Sequence, residues 1–556
     1  MYKILFQDNH IHSTYSDGQN TLADIFEYNN LHDKLDLIIS DHIDKNTKWF
    51  QKYIKKIKEL RQKYPDFSVK IGCEVKIIDN KGELNTTKNI LNSAEIILGS
   101  VHHFPGIKTL NQQELLIKEY ELTKLLAQNK KIHILAHPFS MCARFYQLDP
   151  PMKYIKEIYQ LCLKNKIKFE YSHKHALKNI RTFVKQEIAK GNIKNFSFGS
   201  DAHDLKEIGD SAFKLADPIN VLVTGAGAGV GQSIIKAVRL SKINTKLIVT
   251  DNSPMAAGMC RADAAYLVPL AREKGYIKKI IEICNKEKVG LILVGTDVEL
   301  PALTNNKKKI ESSTNANLII SDPKAIKIAD DKWKTTQFLK ENGFPYPKSA
   351  LEKDFNKFIK EIGFPVIIKP RISARSVGFY VIKNEKELKD KKTKIESPIM
   401  QEYLSTEDDE YTCSSFFDKG KCYGVLSKKR WLRNGDTYKA IMKNDLELEK
   451  FVAKVGKKLN INGPSNFQLR KTKQGPKIFE INCRFSGTTG AASFVGFNVV
   501  NALLQKMFFN RNMKKLSFKE SYMFRYWNEI FTDEKFLKSL ENKKFVKNPY
   551  SDLNII

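Results

Sequence analysis

All eleven histidines of this 556-residue chain lie within its first 203 residues. Most sit with Asp or Glu where an apolar, strand-like run ends. Ile4–Phe6 leads to Asp8, His10 and His12, and Leu37–Ile39 to Asp41 and His42. Val69–Ile71 leads to Glu74, Ile96–Leu98 to His102 and His103, and Ile132–Leu135 to His137. Ile167–Phe169 leads to Glu170, and Phe196–Phe198 to Asp201 and His203. Side chains alternate along a strand, so His10-x-His12 puts two imidazoles on one face. Asp17, in the turn Ser16-Asp17-Gly18, adds a carboxylate just after them. Imidazole mixed with carboxylate suits Zn, Mn or Fe better than Mg or Ca. Nine or ten ligands exceed what one ion takes, so two or three ions sharing bridging carboxylates are expected. Such clusters activate water and clamp phosphoryl oxygens. His32 and His133 read as ordinary histidines, and His103, His173 and His175 are left open.

A second set lies far downstream. Ile367-Ile368-Lys369-Pro370 puts a lysine on a strand before the polar turn Ser373-Ala374-Arg375-Ser376-Val377-Gly378. A lysine and backbone amides there can hold nucleotide phosphates. Pro398-Ile399-Met400-Gln401-Glu402-Tyr403-Leu404 is an apolar strand running toward Glu410. Glu480 and Asn482, two apart on a strand, share a face, and such oxygen ligands suit Mg together with phosphates. Arg484 continues that face and could stabilise a developing phosphoryl charge.

These groups need a scaffold. Helical spacing marks Thr21–Asn30, Trp49–Tyr64, Gln112–Asn129, Met152–Lys164 and Ile180–Lys190, alternating with the short strands. That alternation implies parallel βαβ units. Seven such units with polar strand ends point to a closed barrel whose C-terminal mouth holds the site. Asp217–Pro218 reads as a linker. A new βαβ unit follows, with strands at Val221–Thr224, Lys246–Thr250 and Gly290–Val294 and a helix at Ser233–Leu240. Its first turn, Gly225-Ala226-Gly227-Ala228-Gly229-Val230-Gly231, lacks strict G-x-G-x-x-G spacing. It reads as a tight strand-to-helix crossover rather than a dinucleotide site. A second boundary falls near Asp322–Pro323, with mixed α+β pattern beyond it. The expected organisation is 1–217, 218–323, 324–510 and a tail, 511–556, without a motif.

Composition sets the outer limits. No apolar run approaches the ~18 residues a membrane span needs. The eight cysteines are scattered without a CxxC pair and suggest a reducing cytosol. Net charge is +31, yet only 14 of the 93 basic residues are Arg. Nucleic-acid surfaces favour Arg, so the surplus reads as solvated lysine faces, and nucleic acid is not an expected partner.

The N-terminal segments resemble the PHP (polymerase and histidinol phosphatase) family of metallo-phosphoesterases over about residues 1–215. The parts that carry the resemblance are Asp8-Asn9-His10-Ile11-His12-Ser13, Ser40-Asp41-His42, Gly72-Cys73-Glu74, Gly99-Ser100-Val101-His102, Ala136-His137-Pro138 and Gly199-Ser200-Asp201-Ala202-His203. It implies a distorted (βα)7 barrel with a trinuclear site. By position, His10, His12, Glu74 and Asp201 would hold one ion, Glu74, His102 and His137 a second, and Asp17, His42 and His203 a third. Glu170 stands where that family often has an acid. Residues 219–505 resemble the ATP-grasp superfamily, near one half of the carbamoyl-phosphate synthase large subunit. That resemblance implies a Rossmann-like pre-ATP-grasp domain and an α+β ATP-grasp fold. Lys332 and Lys369, with the Ser376 turn, would contact ATP phosphates. Gln401, Glu402, Tyr403 and Leu404 would line adenine, and Glu410 would take the ribose hydroxyls. Gln468, Glu480 and Asn482 would hold Mg, while Arg430 and Arg484 would face an acyl-phosphate. The flap Arg371–Val377 departs from the family pattern in lacking glycines. With one ATP module and no glutaminase segment, full carbamoyl-phosphate synthesis is not expected.

The combined expectation is a cytoplasmic α/β enzyme with two sites acting on a small carboxylate and a phosphorylated metabolite. One site uses ATP to ligate a carboxylate to an amine through an acyl-phosphate. The other hydrolyses phosphoesters with two or three Zn, Mn or Fe ions. The alternative is a basic nuclease of PHP type with an ATP-binding regulatory module. The sequence leaves oligomeric state open.

Overall fold

The architecture comes from a computed structural model that describes residues 6–102, 104, 106–372, 377–405, 409–526, 529–530, 532 and 534–547. Ser376, one of the expected phosphate contacts, and His103 lie outside the described residues. The chain divides into two compact units at Asp217/Pro218, with the short pieces Lys242–Asn244 and Lys506–Arg511 clustering with the first.

The first unit is built on β1 (Gln7–Ile11), β2 (Asp36–Ile39), β3 (His42–Ile43), β4 (Val69–Lys76), β5 (Ile96–Ser100), β6 (Ile134–Leu135), β7 (Lys168–Tyr171) and β8 (Phe196–Phe198). All pair in parallel in the order β1-β2-β4-β5-β6-β7-β8, with β3 beside β4. A bridge between Ile11 and Ala202 brings the first strand next to the last, leaving the sheet nearly closed. Helices alternate with the strands because each apolar helix stripe needs a sheet face to cover it. Helix Phe50–Lys63, for example, buries Phe50, Tyr53, Ile54, Ile57 and Leu60. Parallel order puts every strand's C-terminal end at one mouth, which is where His10, His12, His42, His102, His137 and His203 fall.

Among the described residues the second unit holds three sheets. The first is β9 (Ile219–Val223), β10 (Thr245–Asp251), β11 (Ala264–Leu267), β12 (Leu291–Leu293) and β13 (Asn317–Ile319), parallel in the order β13-β12-β9-β10-β11. The second is antiparallel: β14 (Ser349–Leu351), β15 (Val366–Pro370), β16 (Tyr380–Ile382) and β17 (Pro398–Glu402). The third, also antiparallel, runs β18 (Asp409–Asp418), β19 (Lys421–Arg433), β20 (Asp436–Lys443), β21 (Gly463–Thr472) and β22 (Gly475–Asn482) in the order β22-β21-β18-β19-β20. The segment beyond 510 supplies β23 (Ser521–Phe524) to the edge of this sheet, and β24 (Phe545–Lys547) to the edge of the parallel one. One apolar core joins Leu222, Ile292 and Leu318 of the parallel sheet with Cys413, Phe467 and Ile481 of the third. No helix among the described residues is long and apolar enough to cross a membrane.

Candidate functional sites

At the mouth of the N-terminal sheet, the strand ends deliver His10, His12, His42, Glu74, His102, His137, Asp201 and His203 to one place, and the turn after β1 adds Asp17. Glu74, wholly buried, is the centre. Its Oε1 lies 2.8 Å from His102 Nε2 and 3.0 Å from His137 Nε2. Its Oε2 lies 2.8 Å from His42 Nδ1, 3.4 Å from His10 Nε2 and 3.6 Å from His12 Nε2. Asp201 Oδ1 is 3.0 Å from His12 Nε2, and Asp17 Oδ2 is 3.3 Å from His203 and 3.5 Å from His42. Among the described residues, ligand atoms converge in four overlapping groups: His12–Asp17–His42–His203, His10–His12–Asp201, His10–Glu74–His137 and His42–Glu74–His102.

The outer nitrogens explain the orientation. His10 Nδ1 lies 3.1 Å from Glu170, His137 Nδ1 3.0 Å from Ser140 Oγ, and His203 Nδ1 2.9 Å from the Asp201 carbonyl. Each ring therefore keeps its other nitrogen toward the centre, as ligand histidines do. His10 Nε2, His12 Nδ1, His42 Nδ1 and Glu74 Oε2 are buried without a hydrogen bond. Orphaned polar atoms in a packed interior are costly, and a cation removes that cost. The donor set thus fits the expected ions. Burial pushes Glu74 up, but His102, His42 and His10 outweigh it and hold its carboxyl well below the usual range. Burial pulls His42 down, while Glu74 and Asp17 drive it up to about 10.

Two aspartates hold the loops. Asp8 accepts from Ser200 N, Ser200 Oγ and Gly209 N, fixing the segment that carries Asp201 and His203. Asp41 accepts from the backbone and hydroxyl of both Ser13 and Ser16, fixing the turn that carries Asp17. Gly199 is needed for close approach, since a Cβ there would stand 2.1 Å from Glu170 Oε1. His175, left open by the sequence, belongs to the cluster, with Nε2 2.7 Å from Asp201 Oδ2. Its position four residues past β7 was the available signal. His133 instead accepts from Ile97 N, away from the centre.

In the second unit a cavity of about 300 Å³ is lined by Lys332, Lys369, the Gln401–Leu404 stretch, Glu410, Arg430, Gln468 and Glu480. Apolar side chains, among them Ile367, Phe379, Val381 and Phe479, form its remaining wall. Lys369 is buried on β15, its Nζ donating to Gln401 Oε1 at 2.9 Å. Burial, and after it the Lys332 ammonium, pushes Lys369 down to about 8. Glu410 is shared by Arg430 and Arg470, each at 2.7 Å. Arg470, which spacing does not mark as a site residue, pairs in register with Glu410. Gln468 Oε1 accepts from Arg430, while Gln468 Nε2 and Asn482 Nδ2 both donate to Glu480 Oε1. Of the three expected Mg ligands, Glu480 Oε2 and Asn482 Oδ1 therefore remain unengaged among the described residues, and Gln468 acts as a clamp on Arg430. Those two oxygens fit a Mg ion that also takes phosphate oxygens.

A second cavity, of about 290 Å³, shares Arg430, Gln468 and Glu480 with the first. Arg484 lines only this one, held by Asp297 through paired contacts of 2.9 and 3.0 Å. Asn466, one turn of the strand pleat from Gln468, also lines it.

These two adjoining cavities, one partly apolar and lysine-lined and the other polar, lie in a stretch that matches known families. Residues 221–317 match the PylC-like N-terminal domain, 329–414 the RimK-like ATP-grasp domain, and 394–529 the ATP-grasp in the biosynthetic pathway with Ter operon. The chain carries an ATP-grasp module. It is 29% identical over 187 residues to a carbamoyl phosphate synthase large chain from Clostridium acetobutylicum, covering 31% of this chain and 17% of that one. A Saccharolobus islandicus carbamoyl phosphate synthase large chain is 22% identical over 275 residues, 45% of this chain and 25% of that one. The chain thus spans a quarter or less of these relatives. Among solved structures, an N5-carboxyaminoimidazole synthetase from Staphylococcus aureus is similar at 16% identity and TM-score 0.44, covering 58% of this chain and 85% of that one. An L-amino acid ligase from Bacillus licheniformis is similar at 15% identity and TM-score 0.42, covering 52% and 74%.

Proposed function

We propose that the chain is a two-site enzyme: an ATP-dependent carboxylate–amine ligase in the second unit and a PHP-type phosphoester hydrolase in the first. The domain division 1–217, 218–323, 324–510 and 511–556 belongs to this reading. The ligase reading is carried by the adjoining cavities. The apolar wall with Tyr403 and Leu404 takes the adenine, and Lys332 and Lys369 take phosphate oxygens. Glu480 and Asn482 hold Mg, which neutralises charge on the phosphates when bound. A carboxylate oxygen from the second cavity attacks the γ-phosphorus, the bond to the β-phosphate oxygen breaks, and ADP leaves. Arg430, at the junction, and Arg484 offset charge on the transferred group. An amine then attacks the acyl carbon, forms the amide and expels phosphate.

In the barrel, the five imidazole nitrogens around the Glu74 carboxylate support a bridged cluster of two or three Zn, Mn or Fe ions. When bound, such ions lower the pKa of water and neutralise phosphoryl oxygens. Glu170 and Ser140 fix which nitrogens of His10 and His137 face the cluster. Asp8 and Asp41 keep the Asp201 and Asp17 loops within reach. Hydrolysis and ligation on one chain suit consecutive steps on one small metabolite. The eight unpaired cysteines support a cytosolic setting.

The test is a pair of variants assayed for both activities. His10→Ala is expected to lower bound metal and phosphatase turnover at least ~100-fold while sparing ATP turnover. Glu480→Ala is expected to do the reverse. Unchanged metal content and hydrolysis in His10→Ala would remove the barrel assignment. Unchanged Mg-dependent ADP formation in Glu480→Ala would remove the ligase one.

A further inference from the structure

The glycine-rich turn is only partly explained by packing. Gly231 is a crowded crossover residue, since a Cβ there would stand 2.1 Å from the Gly225 carbonyl oxygen. Gly229 differs, because a Cβ on it would meet nothing within 4 Å. It begins the eleven-residue helix Gly229–Arg239, whose N-cap, Ala228, offers no side-chain cap. The first helical hydrogen bond runs from Gln232 N to the Ala228 carbonyl, so the N–H groups of Gly229 and Val230 make none among the described residues. Both residues line the second cavity. Helix N-termini with free N–H groups attract anions.

The same cavity holds an independent unmet donor. Asn466 is only 3% exposed. Its Oδ1 accepts from Thr412 Oγ1 at 2.7 Å, and its Nδ2 has no acceptor among the described residues. Arg525, also on the wall, donates to the Gly487 carbonyl and is attracted to Asp436, so it adds positive charge there without being an unmet donor. Of the acids there, Asp297 is matched by Arg484, Glu480 belongs to the nucleotide side, and Asp436 stands at the rim, exposed. Unmet donors therefore line the part of the cavity beyond the reacting end.

We infer that the second cavity seats a substrate with an anionic group of its own, a carboxylate or a phosphate, besides the carboxyl that receives the phosphoryl group. The first turn of helix Gly229–Arg239 and the Asn466 amide bind that second anion. The open Gly229 lets it approach the backbone. The inference rests on the ligase reading in calling the occupant a substrate.

The full chain, loaded with Mg and a non-hydrolysable ATP analogue, is titrated with glutarate, inorganic phosphate and butyrate by calorimetry. Glutarate and phosphate are expected to bind at least ~10-fold more tightly than butyrate, and the tighter of the two names the anion. Gly229→Asp places a carboxylate where the anion sits. It is expected to weaken both dianions at least ~10-fold and to leave analogue affinity unchanged. It should not lower the thermal midpoint, because an acid favours a helix's first turn. Gly229→Ala, whose methyl projects into the same space, should weaken the two dianions less than Gly229→Asp does, and Asn466→Leu should weaken the same two ligands. Butyrate binding as tightly as glutarate, or wild-type affinities in Gly229→Asp, overturns the inference. Dianion binding with no ADP formed from any acid sinks the ligase reading and leaves the anion site standing. Efficient ADP formation with simple monocarboxylates sinks the anion site alone.

Discussion

A lysine buried without a carboxylate partner carries a charge the interior disfavours. Two lysines of the ATP-grasp sheets are in that state. Lys369, on the wall of the nucleotide cavity, is held at about 8. Below that pH it is an ammonium and attracts phosphates. As pH rises through 8 the charge is lost from the free protein, so affinity for an ATP analogue should fall between pH 7 and 9. Titration of wild type against Lys369→Met reads this: the variant should bind weakly and flatly across that range. Lys428, fully buried, donates only to Ser414 among the described residues and is pushed down to about 7 by burial. The unfolded chain keeps its proton up to 10.5, so between about 7 and 10.5 unfolding takes up a proton and stability rises with pH. Lys428→Met should remove that rise and stabilise the fold at pH 7 by on the order of 1–4 kcal/mol. Urea unfolding of both proteins at pH 7 and 9.5 is the check, and an equal slope in the two would refute it.

Among the elements, the crossover from β9 into helix Gly229–Arg239 is tightly packed. Gly231→Ala forces a methyl into the Gly225 carbonyl, and overpacking of this kind costs about 1–3 kcal/mol. A loss of thermal stability in the second unit, with the His cluster still binding metal, is the expected result. Periodicity made several elements readable. The helix Met152–Lys164 and the strand Phe196–Phe198 run between the residues that spacing marks, because each has one apolar face and clear ends. Other elements exceed their apolar signal. β4 continues from Ile71 to Lys76, since Glu74 is held in the strand by register with His42 and Leu98. β23 and β24 join sheets as edge strands, where pairing depends on a distant partner and leaves little local pattern.

For the whole molecule, the charge of +31 is carried mostly by lysine, and exposed lysines are strongly hydrated and bind nucleic acid only diffusely. The nuclease alternative requires tight, steeply salt-dependent binding. Duplex DNA titrated at ~50 and ~200 mM salt should instead show weak binding, and the barrel should prefer small phosphomonoesters. Tight binding that collapses over this salt range, with cleavage, would favour the nuclease.

Residue type and spacing alone determined which side chains could be ligands: imidazoles and acids at successive strand ends, and lysine, glutamate and asparagine on downstream strands. They could not determine what each atom faces. That Glu74 is ringed by five imidazole nitrogens, that Glu170 takes the outer nitrogen of His10, and that Gln468 is turned toward Arg430 depend on contacts between segments far apart in the chain. Such contacts follow from strand order and loop closure, which a local pattern of apolar residues does not encode. The same holds for Gly229, which is one glycine among several in the sequence and an open cavity wall only once the third sheet stands opposite it.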